Sequence, residues 1–319
     1  MKYRVAVIGA GQLGSRYLQG ISSCKLPLDI IVIDPNQESL IQAQDRWNEV
    51  VKVNNIHSLE FLKSHKDLNN KLIDLVIVST NSNGRADLIA ELSNRMEIRY
   101  WVIEKVLAQN IDELNLILDK LQNYPGVWVN TPRRMIKWHQ ELIASTPNRS
   151  PITCVVNGKD WGLACNAIHF LDLVTWWSGE KIVSIQTDQL DPKWHKAKRD
   201  GYWEIFGTLS AIYSNGSSLT LNSSLDDIGY QVSIKTKEIE WDIQELNGIA
   251  TRSDGKEFPG KLEHQSEITA RLIELILNTG SCELPDLETS VYQHMKLLDA
   301  LLDDWNLKMS DKRTKLPIT

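Results

Sequence analysis

The run Tyr3-Arg4-Val5-Ala6-Val7-Ile8 leads into Gly9-Ala10-Gly11-Gln12-Leu13-Gly14, and a second apolar run ends on Asp34, 20 residues beyond Gly14. The first glycine of such a loop permits a tight turn, and the second lets the backbone approach a ligand closely. The third lets the following helix pack against the strand. That helix presents free N–H groups and the positive end of its dipole, a combination that suits phosphate. A carboxylate ending the next strand can accept hydrogen bonds from ribose hydroxyls and repels a 2′-phosphate. Strand, turn and helix follow in the order a dinucleotide needs. Gly9, Gly11, Gln12, Leu13, Gly14 and Asp34 are therefore expected to bind NAD rather than NADP. In the plainer alternative the glycines make only a tight turn, and Asp34 caps a helix that begins at Pro35.

Two further positions could join this site. Ser79-Thr80-Asn81 ends a later apolar run, LIDLVIVST, and the carboxyl edge of a doubly wound sheet would bring it beside the cofactor. An ordinary strand-to-helix loop with polar caps is the alternative. Glu104-Lys105 ends the run WVIEK. A lysine at a strand's carboxyl end can donate or take a proton, or polarise a carbonyl, and Glu104 can pair with charges or cap backbone. From pattern alone, an exposed ion-pairing lysine is the commoner case.

These residues need a sheet to position them. Short β-branched runs at Tyr3–Gly9, Asp29–Asp34, Val50–Val53, Leu72–Thr80, Arg99–Glu104 and Gly126–Asn130 alternate with helical patterns such as Gln37–Trp47 and Asp112–Gln122. That alternation predicts βαβ units and a parallel sheet covered on both faces, an α/β Rossmann domain over residues 1–130. Beyond it, helices are expected over Arg134–Ser145 and Ala167–Trp177. Consecutive strands follow from Ile182 to Ile243, with turns at Ser214-Asn215-Gly216 and Asp226-Asp227. Helices over Leu262–Asn278 and Leu287–Asp304 complete the chain. Residues 131–319 thus read as an α+β domain with a mostly antiparallel sheet for substrate and oligomerisation, its last helices free to pack back on the first domain.

The order of these landmarks resembles the glucose–fructose oxidoreductase / inositol dehydrogenase / rhizopine-catabolism family (Gfo/Idh/MocA). Glu104-Lys105 matches the family's Glu-Lys-Pro motif with Val106 in place of proline. Asn130-Thr131-Pro132-Arg133-Arg134 resembles the stretch after its sixth strand. His169-Phe170-Leu171-Asp172 with Trp177-Ser178-Gly179 resembles its His-x-x-Asp helix, and Gly207–Ser223 its sheet hairpin. The resemblance spans essentially the whole chain. It implies an NAD(P)-dependent oxidoreductase that exchanges a hydride with a hydroxyl- or carbonyl-bearing carbon of a sugar, cyclitol or sugar acid. It also implies catalytic roles for Lys105 and His169, and a homo-dimer or homo-tetramer formed through the C-terminal sheet.

The departures are specific. Many members carry an aspartate four residues before the histidine; here that residue is Cys165, followed by Asn166. A thiol holds its proton far more tightly than a carboxylic acid does, so Cys165 is no simple substitute. It can be a small buried hydrophobe or an activated thiolate, and Asn166 can hydrogen-bond a substrate hydroxyl. Proline near Asn81 and histidine near Arg85, frequent in the family, are missing. His169 is the remaining proton shuttle, against the alternative of a helix histidine satisfied by backbone. Asp172 reads as structural.

Arg133, Arg134 and Lys159 can grip a carboxylate or phosphate, or form surface ion pairs. Trp161 and Gly162 can form the lip of a substrate pocket, with Lys105, Arg133, Trp161, Cys165, Asn166 and His169 as its contacts. Tyr202 and Trp203 can cover it or serve as packing, and His195 falls in the polar stretch DPKWHKAKRD, read as an exposed loop.

Composition narrows the partners. The 319 residues carry a net charge of −6, which argues against nucleic acid, and no apolar run approaches the length of a membrane span. Four scattered cysteines without a CxxC pair, and a start that runs directly into a strand, point to a reducing, cytoplasmic compartment with no metal site. Two other functions remain open at this stage. One is a tightly bound NAD used transiently for glycoside cleavage or elimination. The other is a non-catalytic dinucleotide-binding regulator.

Overall fold

The computed structural model describes residues 2–53, 55–68 and 72–319. The chain forms two compact units. The first comprises Met1–Leu107, Asn115–Met135 and Glu263–Thr289, and the second Ala108–Leu114, Ile136–Leu262 and Ser290–Thr319.

The alternating pattern of the first third becomes β1 (Tyr3–Ile8), α1 (Gln12–Ile21), β2 (Leu28–Ile33), α2 (Gln37–Glu49), β3 (Ile56–Leu62), β4 (Ile73–Val78), α3 (Arg85–Arg95), β5 (Ile98–Glu104), α4 (Ile111–Leu121) and β6 (Gly126–Asn130). Six strands pair in parallel in the order β3-β2-β1-β4-β5-β6. The order in which strands are added reverses across the β1–β4 pair, and in such sheets ligands bind outside the carboxyl ends at that point. Central strands such as β2 are buried along their whole length, as strands covered on both faces must be.

The expected strand at Val50–Val53 is a correction. That stretch is irregular, with Val51 93% exposed, and the edge strand is Ile56–Leu62, which pairs with Leu28–Ile33. An edge strand is only half-covered, so its sequence IHSLEFL lacks the continuous apolar run used to find the inner strands.

The remainder adds α5 (Lys137–Ala144), β7 (Thr153–Lys159), α6 (Leu163–Ser178), β8 (Ile182–Leu190), β9 (His195–Lys196), β10 (Trp203–Glu204), β11 (Gly207–Tyr213), β12 (Ser218–Ser224), β13 (Gln231–Lys235), β14 (Glu240–Gln244), β15 (Ile249–Arg252), β16 (Glu257–Pro259), α7 (Gln265–Thr279) and α8 (Leu287–Lys308). Eight of these strands form one sheet, β16-β15-β14-β13-β7-β12-β11-β8, in which only β7 and β12 run parallel. The mostly antiparallel sheet therefore reaches Pro259 rather than stopping near Ile243, and it recruits β7 from ahead of α6. Strict alternation on β12, with Leu219, Leu221 and Ser223 buried, leaves a half-covered outer face. On it Thr208 donates to Asn222, and Asn222 to Asn157, both at 2.7 Å.

Other boundaries shift as well. The helix expected over Arg134–Ser145 divides into a 3-10 turn at Pro132–Met135 and α5. α6 starts at Leu163, four residues earlier than expected, because Gly162 takes φ +75° and turns the chain into the helix. His195 belongs to a two-residue strand rather than a loop, and its side chain is exposed. α7 lies against α1 within the first unit. Gly20 permits that approach, since a Cβ there would lie 2.6 Å from the carbonyl oxygen of Ser266.

Candidate functional site

The glycine loop is built for close approach. Gly9 takes φ +97°, a conformation side chains rarely accept. A Cβ on Gly14 would stand 1.8 Å from the Gly9 carbonyl oxygen, so this third glycine lets α1 meet the strand end. Gly11 is exposed, and a Cβ on it would meet nothing within 4 Å. No side chain caps the amino end of α1 at Gly11. Gln12 accepts from the Arg46 guanidinium at 2.7 Å, and the side chain of Leu13 is half-buried.

At the end of the neighbouring strand, Ser79 donates its hydroxyl to the Gly9 carbonyl at 2.8 Å, locking the two strand ends together. The Thr80 hydroxyl oxygen is buried with no partner among the described residues, and Asn81 is exposed. An uncapped helix end, open space above Gly11 and an orphaned hydroxyl fit a phosphate-bearing dinucleotide. Asp34 accepts from the Ala10 amide at 2.7 Å and from the Asn36 amide at 2.8 Å, while Asn36, not Asp34, caps α2. Each carboxylate oxygen has a second lone pair, so Asp34 can still accept from a ligand hydroxyl.

Glu104 and Lys105 end β5 on the same carboxyl edge. The Glu104 side chain is buried and accepts from Tyr17 Oη at 2.5 Å and Asn130 Nδ2 at 2.6 Å; Asn130 also donates to Gln265 at 2.8 Å. Burial raises the Glu104 carboxyl above the ordinary carboxylate range, with the two hydrogen bonds and the nearby cations pulling the other way. Burial and the carboxyl beside it push the Tyr17 phenol up, which keeps it a donor. A carboxyl that holds its proton more tightly in the folded state stabilises the fold at low pH. That contribution is lost as pH rises through the raised folded value. Glu104→Gln should therefore match the wild type in urea unfolding near pH 5 and exceed it at pH 8, by about 1.4 kcal/mol for each unit the carboxyl is raised. A wild type more stable than the variant at pH 8 would contradict this burial account.

Arg85 opens α3 with its guanidinium buried. It donates to the carbonyls of Thr80, Glu104 at 2.5 Å, Val106, and Leu107 at 3.4 Å. The Lys105–Val106 peptide bond within this loop is cis. Arg133 and Arg134 sit half-exposed on the 3-10 turn that follows β6.

In the second unit, the early start of α6 puts Cys165 and Asn166 in its first turn and His169 one turn further on. The Cys165 thiol faces Asn166 Oδ1 at 3.7 Å, and Asn166 Nδ2 donates to the Trp161 carbonyl at 2.8 Å. Trp161 itself donates to the Asn222 carbonyl and stands edge-on to Phe170. Glu204 was not singled out from the sequence. Its carboxylate accepts from the Ala164 amide at 2.8 Å and the Cys165 amide at 3.1 Å, filling the amino end of α6. Asp172 is buried and accepts from Gln293 at 3.3 Å, a tie to α8. Lys159 makes an exposed ion pair with Asp227, and Trp203 packs its ring against Trp305.

The dinucleotide candidates, with Lys105 and Arg133, thus gather in the first unit. Trp161, Cys165, Asn166 and His169 gather at the start of α6 in the second. Arg85, Tyr17 and Glu204 were not proposed from sequence. Each has at least one partner 19 or more residues away, and no local pattern marks them.

Comparison with known proteins agrees with this architecture. Residues 5–118 match the model of the TrkA-N domain. No curated protein matches the sequence. An oxidoreductase from Agrobacterium radiobacter, solved with NAD+, L-tartaric acid and magnesium, superposes with a TM-score of 0.73 at 14% identity, covering 96% of this chain and 97% of the other. A Gfo/Idh/MocA family oxidoreductase from Vibrio cholerae gives 0.68 at 14% identity, covering 97% and 100%. A myo-inositol dehydrogenase from Corynebacterium glutamicum gives 0.67 at 15% identity, covering 95% and 96%. The chain has the fold of these oxidoreductases from end to end: a parallel Rossmann sheet and a mostly antiparallel eight-stranded sheet.

Proposed function

We propose that the chain is an oxidoreductase of the Gfo/Idh/MocA type. It uses NAD to exchange a hydride with a hydroxyl- or carbonyl-bearing carbon of a sugar, cyclitol or sugar acid. One observation carries the reading: the open glycine loop and Lys105 share the carboxyl edge of one parallel sheet, two strands apart (β1 and β5, with β4 between them). The chemistry supplied by a nicotinamide at that edge is hydride acceptance and return. The chain's own share is to hold the pyrophosphate on Gly9–Gly14 and the first turn of α1, with Ser79, Thr80, Asn81 and Glu104 bounding the crevice. Lys105 Nζ stabilises the alkoxide of the reacting carbon and handles its proton. His169 is the second proton-handling group, and Arg133, Trp161, Cys165 and Asn166 contact substrate. Glu204 already fills the first amides of α6, which favours neutral hydroxyls over an anionic group beside Cys165 and Asn166. Assembly into a dimer or tetramer through the outer face of the eight-stranded sheet belongs to the same proposal.

Asp34 provides the test. Titrating tryptophan fluorescence with NADH and NADPH should give at least tenfold tighter NADH binding, about 1.4 kcal/mol, from repulsion of the 2′-phosphate. Asp34→Ser should narrow that ratio while weakening both ligands, because the Ala10 contact goes too. Equal or tighter NADPH binding by the wild type would remove Asp34 as the selector.

A further inference from the structure

Arg85 is an unusual way to hold a loop. Its side chain is 1% exposed, and Nη1 donates to the Glu104 carbonyl at 2.5 Å, to the Val106 carbonyl and to the Leu107 carbonyl at 3.4 Å, while Nη2 donates to the Thr80 carbonyl. Burying a guanidinium is costly unless its donors are satisfied. Here the planar fork takes the carbonyls on both sides of Lys105, those of residues 104 and 106, and ties them to the end of β4 through Thr80. One rigid group thus holds the peptide unit that enters Lys105 and the one that leaves Val106, which restricts the backbone, and so the Cα–Cβ direction, of Lys105 from both sides.

We infer that Arg85 is the positioning residue for Lys105: its guanidinium holds the backbone on both sides of the lysine and so directs that side chain toward the oxygen of the reacting carbon. This rests on the proposed role of Lys105 as the proton-handling residue. Arg85 touches neither substrate nor cofactor in this scheme. Its loss should therefore act on turnover and leave binding in place.

Arg85→Lys keeps a charge but loses the fork, and Arg85→Ala leaves a guanidinium-shaped space. Both should lower kcat by about 100-fold, the scale of a misplacement near 1 Å, with NADH affinity and substrate KM within threefold of wild type. Millimolar guanidinium should restore at least tenfold of the loss in Arg85→Ala, and nothing in Arg85→Lys or Lys105→Met. Hydrogen exchange supplies a readout independent of turnover. Amides of residues 105–107 should exchange at least tenfold faster in Arg85→Ala, with β1 and β2 unchanged and guanidinium slowing the loop again. Unaltered kcat in a folded Arg85→Lys, or a loss shared equally by KM and NADH binding, would overturn the inference. If Arg85→Ala fails to fold, Arg85→Lys decides alone. If the wild type turns over nothing, the proposed function fails by itself, and unchanged exchange at residues 105–107 in Arg85→Lys would then overturn the clamp as well.

Discussion

Lys105→Met should lower kcat on any substrate the protein oxidises by about 1000-fold, with NADH affinity within threefold of wild type. Positioned acid–base groups contribute on the order of 100- to 10,000-fold, and Lys105 is the only lysine or arginine among the residues assigned to the carboxyl edge of β4 and β5 apart from the buried Arg85. Methionine fills the same volume without a proton or a charge. The phosphates are held by the glycine loop and α1, which the substitution leaves alone. Lys105→Arg separates two roles: arginine keeps the charge that stabilises an alkoxide but does not release its proton near neutrality. Partial activity in Lys105→Arg with none in Lys105→Met would assign the larger share to charge. Stopped-flow measurement of the hydride step reads both, and a Lys105→Met enzyme within tenfold of wild type would remove the residue from the chemistry.

Gly14→Ala and Gly11→Ala should part company sharply. A Cβ at Gly14 runs into the Gly9 carbonyl and the Ser79 hydroxyl, so α1 must retreat from the strand end. Overpacking of this kind costs about 1–3 kcal/mol, and the retreat carries the phosphate-binding amides with it. Gly14→Ala should melt several degrees lower and lose more than tenfold in NADH affinity. At Gly11 a Cβ meets nothing, and its φ of −61° suits any residue. Gly11→Ala should hold stability within about 0.5 kcal/mol, the scale of a harmless surface change, and still weaken NADH by crowding the pyrophosphate. Thermal melts with and without NADH distinguish the two. A Gly11→Ala protein that binds NADH normally would leave this loop a structural turn.

The legible parts of this chain were those whose signals are local. Strand β1, its glycine turn and α1 are written in consecutive residues, and the inner strands declare themselves by unbroken apolar runs such as IDLVIV. The hairpin of β11 and β12 follows from alternation around Ser214-Asn215-Gly216. What stayed hidden depends on distant partners. The edge strand β3 is only half-buried and carries His57 and Glu60, whereas Val50–Val53, exposed from Val51 onward, imitates a strand without forming one. The start of α6 depends on Gly162 and on Glu204, about 40 residues later in the chain. Arg85 carries no local signal of burial, and the carbonyls of Thr80, Glu104, Val106 and Leu107 make it a buried clamp. Glu104 likewise meets Tyr17 across 87 residues. Sheet order makes such pairs, and a single sequence read locally does not carry it.

The most direct measurement mixes the purified protein with NAD+ and a panel of sugars, cyclitols and sugar acids, and follows the near-ultraviolet absorbance of reduced nicotinamide. Growth of that band with at least one polyol, lost in Lys105→Met while NADH binding persists, is the expected result. Substrate consumed with no reduced nicotinamide released, or NADH bound tightly with no turnover across the whole panel, would contradict a dehydrogenase.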